Sequence, residues 1–112
     1  MKLAIIGSRS FNDYDKLKNE VDKIKDITTI ISGGAKGADT LAEKYAFEKN
    51  IPIKIFPANW SKFGKQAGII RNKEIIDNCD KVIAFWDGES RGTANSITVA
   101  KNKGKGVILV YY

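Results

Sequence analysis

The sequence predicts an α/β fold, a three-layer sandwich in which a five-stranded parallel sheet lies between helices. Three observations predict it. Five short apolar runs rich in Ile, Val and aromatics recur along the 112 residues. Apolar residues at helical spacing fill the intervals between those runs. Glycine and small polar residues follow the runs, where strand-to-helix turns are needed. Regular alternation of strand and helix builds a parallel sheet with helices on both faces.

The elements can be justified in order. Leu3–Ile6 is apolar without alternation, as a strand covered on both faces must be, and Gly7-Ser8-Arg9 ends it. Tyr14, Leu17, Val21 and Ile24 then recur at helical spacing, with Asp13 as N-cap. Thr29–Ile31 is the second strand. Leu41, Ala42, Tyr45 and Ala46 mark the second helix, closed by Asn50 ahead of Ile51-Pro52. Ile53–Phe56 is the third strand, and Pro52 at its start removes a backbone donor, which suits a sheet edge. The segment from Asn59 to Gln66 reads as a loop bearing Trp60, Lys62, Phe63 and Lys65. A third helix covers Gln66–Asn78 and a fourth strand Val82–Trp86. A fourth helix runs from Thr93, its expected N-cap, to Asn102, with Gly104 or Gly106 as the stop, and Val107–Tyr111 is the last strand. An edge position for the third strand matches a Rossmann-like order 3-2-1-4-5, with a topological switch between the first and fourth strands. Ligands in such sheets bind at strand carboxyl ends beside the switch.

Composition narrows the function. The length fits a single domain, 1–112, and 43% hydrophobic with 29% charged residues is a globular balance. There is no histidine. That excludes Ser-His-Asp and Cys-His catalysis and the HExxH zinc site. The lone Cys79 permits no internal disulfide and makes a structural zinc site improbable, so neither metal nor cofactor is expected. The cysteine usage and the lack of any membrane-length apolar run lead to a cytoplasmic expectation with no membrane partner. The formal net charge is +6, with Lys101, Lys103 and Lys105 clustered near one helix end. They read as cations favoured by the helix dipole, or as a weak nucleic-acid patch.

Four strand ends converge on a candidate site. Gly7, Ser8 and Arg9 follow the first strand; Ser32, Gly33, Gly34, Gly37 and Asp39 belong to the segment SGGAKGAD after the second. Glycines there let a phosphate approach a helix N-terminus, or simply make a tight turn. The segment Asp87-Gly88-Glu89-Ser90-Arg91-Gly92-Thr93 follows the fourth strand, adding Ser90, Gly92 and Thr93. Arg9 and Arg71 suit phosphate, because guanidinium binds it bidentately. Trp60 and Trp86 offer walls for a base, or core packing, and Lys62 a further cation. Without histidine, any reaction falls to carboxylates, and Asp87 and Glu89 are the candidates. Asp39 reads as a helix-dipole partner or a ribose contact. The GxxxxGK[ST] and GxGxxG patterns are both missing, which excludes a P-loop ATPase and a standard NAD-dependent dehydrogenase.

SGGAKGAD (32–39), the pair Arg71-Asn72 and the GxSxGT pattern of Gly88, Ser90, Gly92 and Thr93 resemble the SLOG superfamily. GSRSFNDY (7–14) and FPANWSKFGKQAGIIRN (56–72) resemble its small stand-alone YpsA-related (YspA-type) branch. The resemblance implies a Rossmann-like domain that binds nucleotides, nucleotide-derived signals or nucleic acid, often in phage-conflict or stress settings. It extends to the cytokinin-activating phosphoribohydrolases and to the Rossmann domain of DprA. The phosphoribohydrolases place a catalytic glutamate three residues after the threonine, where this chain has Ser96. The expectation is therefore a sensor or carrier of a nucleotide or nucleotide-derived ligand, with Asn72 joining Arg71 at the site. The alternatives are a nucleotide N-glycosidase or phosphoribohydrolase using Asp87 or Glu89, and a DprA-like nucleic-acid-binding module. The apolar last strand also admits a homodimer.

Overall fold

A computed structural model describes residues 1–112. The strands are β1 (Lys2–Gly7), β2 (Thr29–Ser32), β3 (Ile53–Ile55), β4 (Lys81–Trp86) and β5 (Gly106–Tyr111). The helices are α1 (Tyr14–Asp22), α2 (Ala38–Lys49), α3 (Trp60–Phe63), α4 (Ala67–Asp77) and α5 (Arg91–Asn102). All four strand pairings are parallel, and the sheet order is β3-β2-β1-β4-β5. This is the Rossmann-like order the sequence predicts.

Successive strand residues point to opposite faces, so one strand feeds two cores. Leu3, Ile5, Ile30, Ile83 and Phe85 pack with Phe11, Leu17, Val21, Ala42 and Tyr45, under α1 and α2. Ala4, Ile6, Ile31, Val82 and Ala84 pack with Ile75, Ile76, Ile97 and Ala100, under α4 and α5. The chain leaves β1 toward one layer and β4 toward the other. The crevice between those departures holds a cavity. No helix is long and apolar enough to cross a membrane.

Local chemistry accounts for most boundaries. The Asp13 carboxylate accepts from the Lys16 N–H at 3.1 Å and caps α1. Asn50 ends α2 in the left-handed conformation, at φ 55°. Two boundaries differ from the sequence expectation. The N-cap of α5 is Ser90, whose Oγ accepts from the Thr93 N–H, so Thr93 lies inside the helix. The expected loop after β3 contains the short helix α3 and a 3₁₀ turn at Gly64–Gln66. Asn59 nucleates α3, its Oδ1 accepting from the Lys62 N–H at 3.1 Å, a capping signal masked by the aromatic residues that follow.

Candidate functional site

The carboxyl ends of β1 and β4 open into a cavity of about 590 Å³. Its walls are the β1–α1 loop, the start of α2, one face of α4 and the first turns of α5. The β1 end is held by backbone contacts. The Ser8 N–H donates to the Phe85 carbonyl at 2.9 Å, and the Ser8 carbonyl accepts from Phe11 at 3.1 Å. Gly7 fits only because it lacks a Cβ, which would lie 2.6 Å from both the Ala38 Cβ and the Phe85 oxygen. The Ser8 hydroxyl reaches across to the Asp87 N–H at 3.4 Å, tying β1 to β4 at the switch.

A polar chain spans the other wall. Arg71 donates from Nη1 to the Gly33 carbonyl at 2.9 Å and from Nε to Asn72 Oδ1 at 3.2 Å. Asn72 Nδ2 donates to the Gly92 carbonyl at 3.3 Å and to Asn95 Oδ1 at 3.4 Å. Arg71 and Asn72 thus join the glycine segment after β2 to the N-terminal turn of α5. Asp39 is only 7% exposed beneath this chain. Its Oδ2 accepts from the Ala35 N–H at 3.1 Å. Burial pushes its carboxyl up from the ordinary value, against the pull of the Ala35 N–H and the Arg71 charge. The neighbouring Ser32 Oγ is fully buried and makes no hydrogen bond of normal geometry. Asp87 is the opposite case. The Ser90 and Glu89 N–H groups donate to its Oδ1 at 2.8 and 2.9 Å, and hold its carboxyl below the usual range.

The residues expected at the site divide into three groups. Gly7, Ser8, Arg9, Asp39, Trp60 and Arg71 line the cavity, as do Asn72, Asp87, Ser90, Gly92 and Thr93. Gly33 and Gly34 line an adjoining cavity of about 380 Å³. Ser32, Gly37, Lys62, Trp86 and Glu89 line neither. Each of these five has a physical reason. Ser32 is buried below the floor, and Gly37 is pressed against the Ser8 and Arg9 carbonyls. The Lys62 ammonium lies over the Phe63 ring, 5.1 Å from its centroid. The Trp86 indole donates to the Ser90 carbonyl at 3.0 Å and packs beside Tyr111. Glu89 projects into solvent beyond the Asp87 turn. Trp86 thus contacts the rim at Ser90 without lining the cavity, and Glu89 lies outside it.

The cavity also takes in Lys65, a cation of the loop after β3 already singled out, and Ser10, Arg91, Asn95 and Ser96, which were not among the candidates. Arg91 and Lys65 belong to segments recognised in the sequence. Asn95 had a findable signal, since it lies within one turn of Gly92 on the same helix. Four cations, Arg9, Lys65, Arg71 and Arg91, face two carboxylates, Asp39 and Asp87. With the first turns of α2 and α5 alongside, the arrangement favours an anion.

The model of the YspA, cpYpsA-related SLOG family matches residues 1–63. This chain belongs to that family. The Gene 61 protein of Mycobacterium phage D29 is 32% identical over 117 residues, covering 96% of this SLOG chain and 94% of the phage protein. The fold is shared with two longer proteins. DNA processing protein A (DprA) from Streptococcus pneumoniae superposes with a TM-score of 0.82 at 20% identity, over 96% of the SLOG chain and 49% of its own. DprA from Helicobacter pylori, which has a single-stranded DNA binding mode, superposes with a TM-score of 0.68 at 23% identity, over 97% of the SLOG chain. The SLOG chain spans 64% of that second protein, so it corresponds to part of each.

Proposed function

We propose that this SLOG domain binds a nucleotide or nucleotide-derived ligand in the cavity between β1 and β4, acting as a sensor or carrier. The observation that carries the reading is the convergence of Arg9, Arg71, Arg91 and Lys65 with the first turns of two helices around about 590 Å³ of space. Guanidinium groups and helix N-termini serve phosphate. Ser8, Thr93, Asn72 and Asn95 supply hydroxyl and amide partners for a sugar or a base edge. Binding is favoured over hydrolysis because the two cavity carboxylates are already engaged by backbone amides, Asp39 by Ala35 and Asp87 by Glu89 and Ser90. Isothermal titration with the four 5′-mononucleotides should give saturable heat, with no free base released on chromatography. Absence of heat at millimolar nucleotide would refute the reading.

One observation favours a second reading, a single-stranded nucleic-acid module. Trp60, 53% exposed, stands at the border of both cavities, where a base could stack. The likeness to a DprA that binds single-stranded DNA supports the same reading. It requires binding to an oligonucleotide that falls with salt, with a slope near −0.7 per phosphate contacted.

A further inference from the structure

The two cavities adjoin and differ in charge. They share Arg9, Ala35, Trp60 and Arg71, which form the threshold between them. The larger lobe holds both carboxylates, Asp39 and Asp87, together with most of the hydroxyl and amide groups. The smaller lobe contains no carboxylate; its charged residues are Arg9, Lys36 and Arg71, set beside the exposed Gly34. A mononucleotide seated in the larger lobe leaves this all-cationic lobe empty. Arg71 is balanced in part by the adjacent Asp39, whereas Arg9 and Lys36 make no ion pair. The exposed backbone of Gly34 permits close approach of a phosphate, and the Trp60 indole at the threshold offers a stacking face.

We propose that the smaller lobe is a second subsite and that the ligand is a phosphodiester-linked pair of nucleotides spanning both lobes across Arg71. This rests on the nucleotide reading above and specifies its substrate class. The larger lobe takes one nucleotide, with Asp39, Asn72 and Asn95 near its sugar or base. The linking phosphate meets Arg9 and Arg71, and the second phosphate meets Lys36. A free dinucleotide and a two-nucleotide step of a single strand present the same chemistry.

The test compares the four 5′-mononucleotides with the matching 5′-phosphorylated dinucleotides by isothermal titration, in the unmodified protein and two variants. Lys36 lines only the smaller lobe and Arg91 only the larger. Dinucleotides should bind at least tenfold tighter than mononucleotides. Lys36→Glu should remove that tenfold advantage while leaving mononucleotide affinity within twofold. Arg91→Gln should weaken both ligands by the same factor. Equal affinity for both ligand lengths overturns the second subsite and leaves the nucleotide reading standing. So does a Lys36→Glu loss shared equally by mononucleotides. Failure of every mononucleotide and dinucleotide to bind removes both readings. A 12-nucleotide single strand distinguishes the sources. A salt slope of about two phosphates, with no gain over the dinucleotide, assigns a free dinucleotide. Affinity and slope that rise with length assign a strand, provided Lys36→Glu still costs tenfold. Lys36 is exposed, so an unchanged thermal midpoint in Lys36→Glu confirms that the loss is one of binding.

Discussion

Gly37→Ala tests how the glycine segment supports the site. Gly37 is the residue before α2 and adopts φ 79°, ψ −125°, a region that L side chains rarely occupy. Holding alanine there costs about 1–3 kcal/mol. A second cost is steric. The added Cβ would lie 2.5 Å from the Ser8 oxygen and 2.6 Å from the Arg9 oxygen, both backbone atoms that cannot rotate away. Relief requires the β1–α1 loop to move, at an overpacking cost of about 1–3 kcal/mol. The total is about 2–6 kcal/mol, a drop in thermal midpoint of roughly 10–25 °C for a domain of this size. Gly88→Ala is the matched control, because φ is 85° there but no atom lies within 4 Å of the point a Cβ would occupy. It should show the conformational cost alone. Urea denaturation read at constant m gives both values. If Gly37→Ala costs no more than Gly88→Ala, the β1–α1 loop does not rest against Gly37 and the steric argument fails.

Three further outcomes follow from named groups. Ser90→Ala, which deletes the α5 cap, should cost about 1 kcal/mol in urea denaturation, and Ser90→Asp should recover most of it. Asp39 has a raised folded-state pKa, so the native state holds its proton more tightly than the unfolded chain does. That contribution to stability is full below the ordinary carboxylate pKa and is lost as pH rises through the folded value. Asp39→Asn keeps an acceptor for the Ala35 N–H and should flatten that part of the stability–pH profile; an unchanged profile would show that Asp39 is not the group responsible. Cys79 is 2% exposed and burial pushes its thiol pKa up, so a thiol reagent should label it only as fast as the protein opens. Rapid labelling of the native protein would contradict the packing described.

The layer order was readable because two unrelated signals agreed on it. Unalternating apolar runs at Leu3–Ile6 and Val82–Trp86 mark strands covered on both faces, and Pro52 marks an edge. The structure puts β1 and β4 side by side and β3 at the edge. The cavity was legible where the chain itself carries residues to strand ends, as at Ser8, Asp87 and Gly92. It was not legible where orientation decides. Trp86 and Asp87 are neighbours, yet one indole turns to Tyr111 while the carboxylate turns to the cavity rim. A one-residue step along a strand end reverses the face, and no composition signal reports that near a turn. Asn95 was missed for a related reason. Its place near Gly92 on α5 was readable, but its pairing with Asn72, 23 residues away on another helix, was not.

Glycine in SGGAKGAD invited two competing explanations, a phosphate cradle and a tight turn, and the structure gives two of these glycines different packing roles. Gly37 serves the turn, by letting the Ser8 and Arg9 carbonyls come against the start of α2. Gly33 serves a side chain. A Cβ there would lie 2.5 Å from Arg71 Nη1 and 2.9 Å from Asp39 Oδ2, so the missing methyl is the seat of the guanidinium. Arg71 donates to the Gly33 carbonyl from that seat, and Asn72 extends the hold to α5. A larger residue at position 33 would displace the arginine before it touched any ligand. The glycine therefore shapes the cavity through the arginine it admits. That reasoning applies to a site built without histidine, in which guanidinium placement rests on the backbone around it.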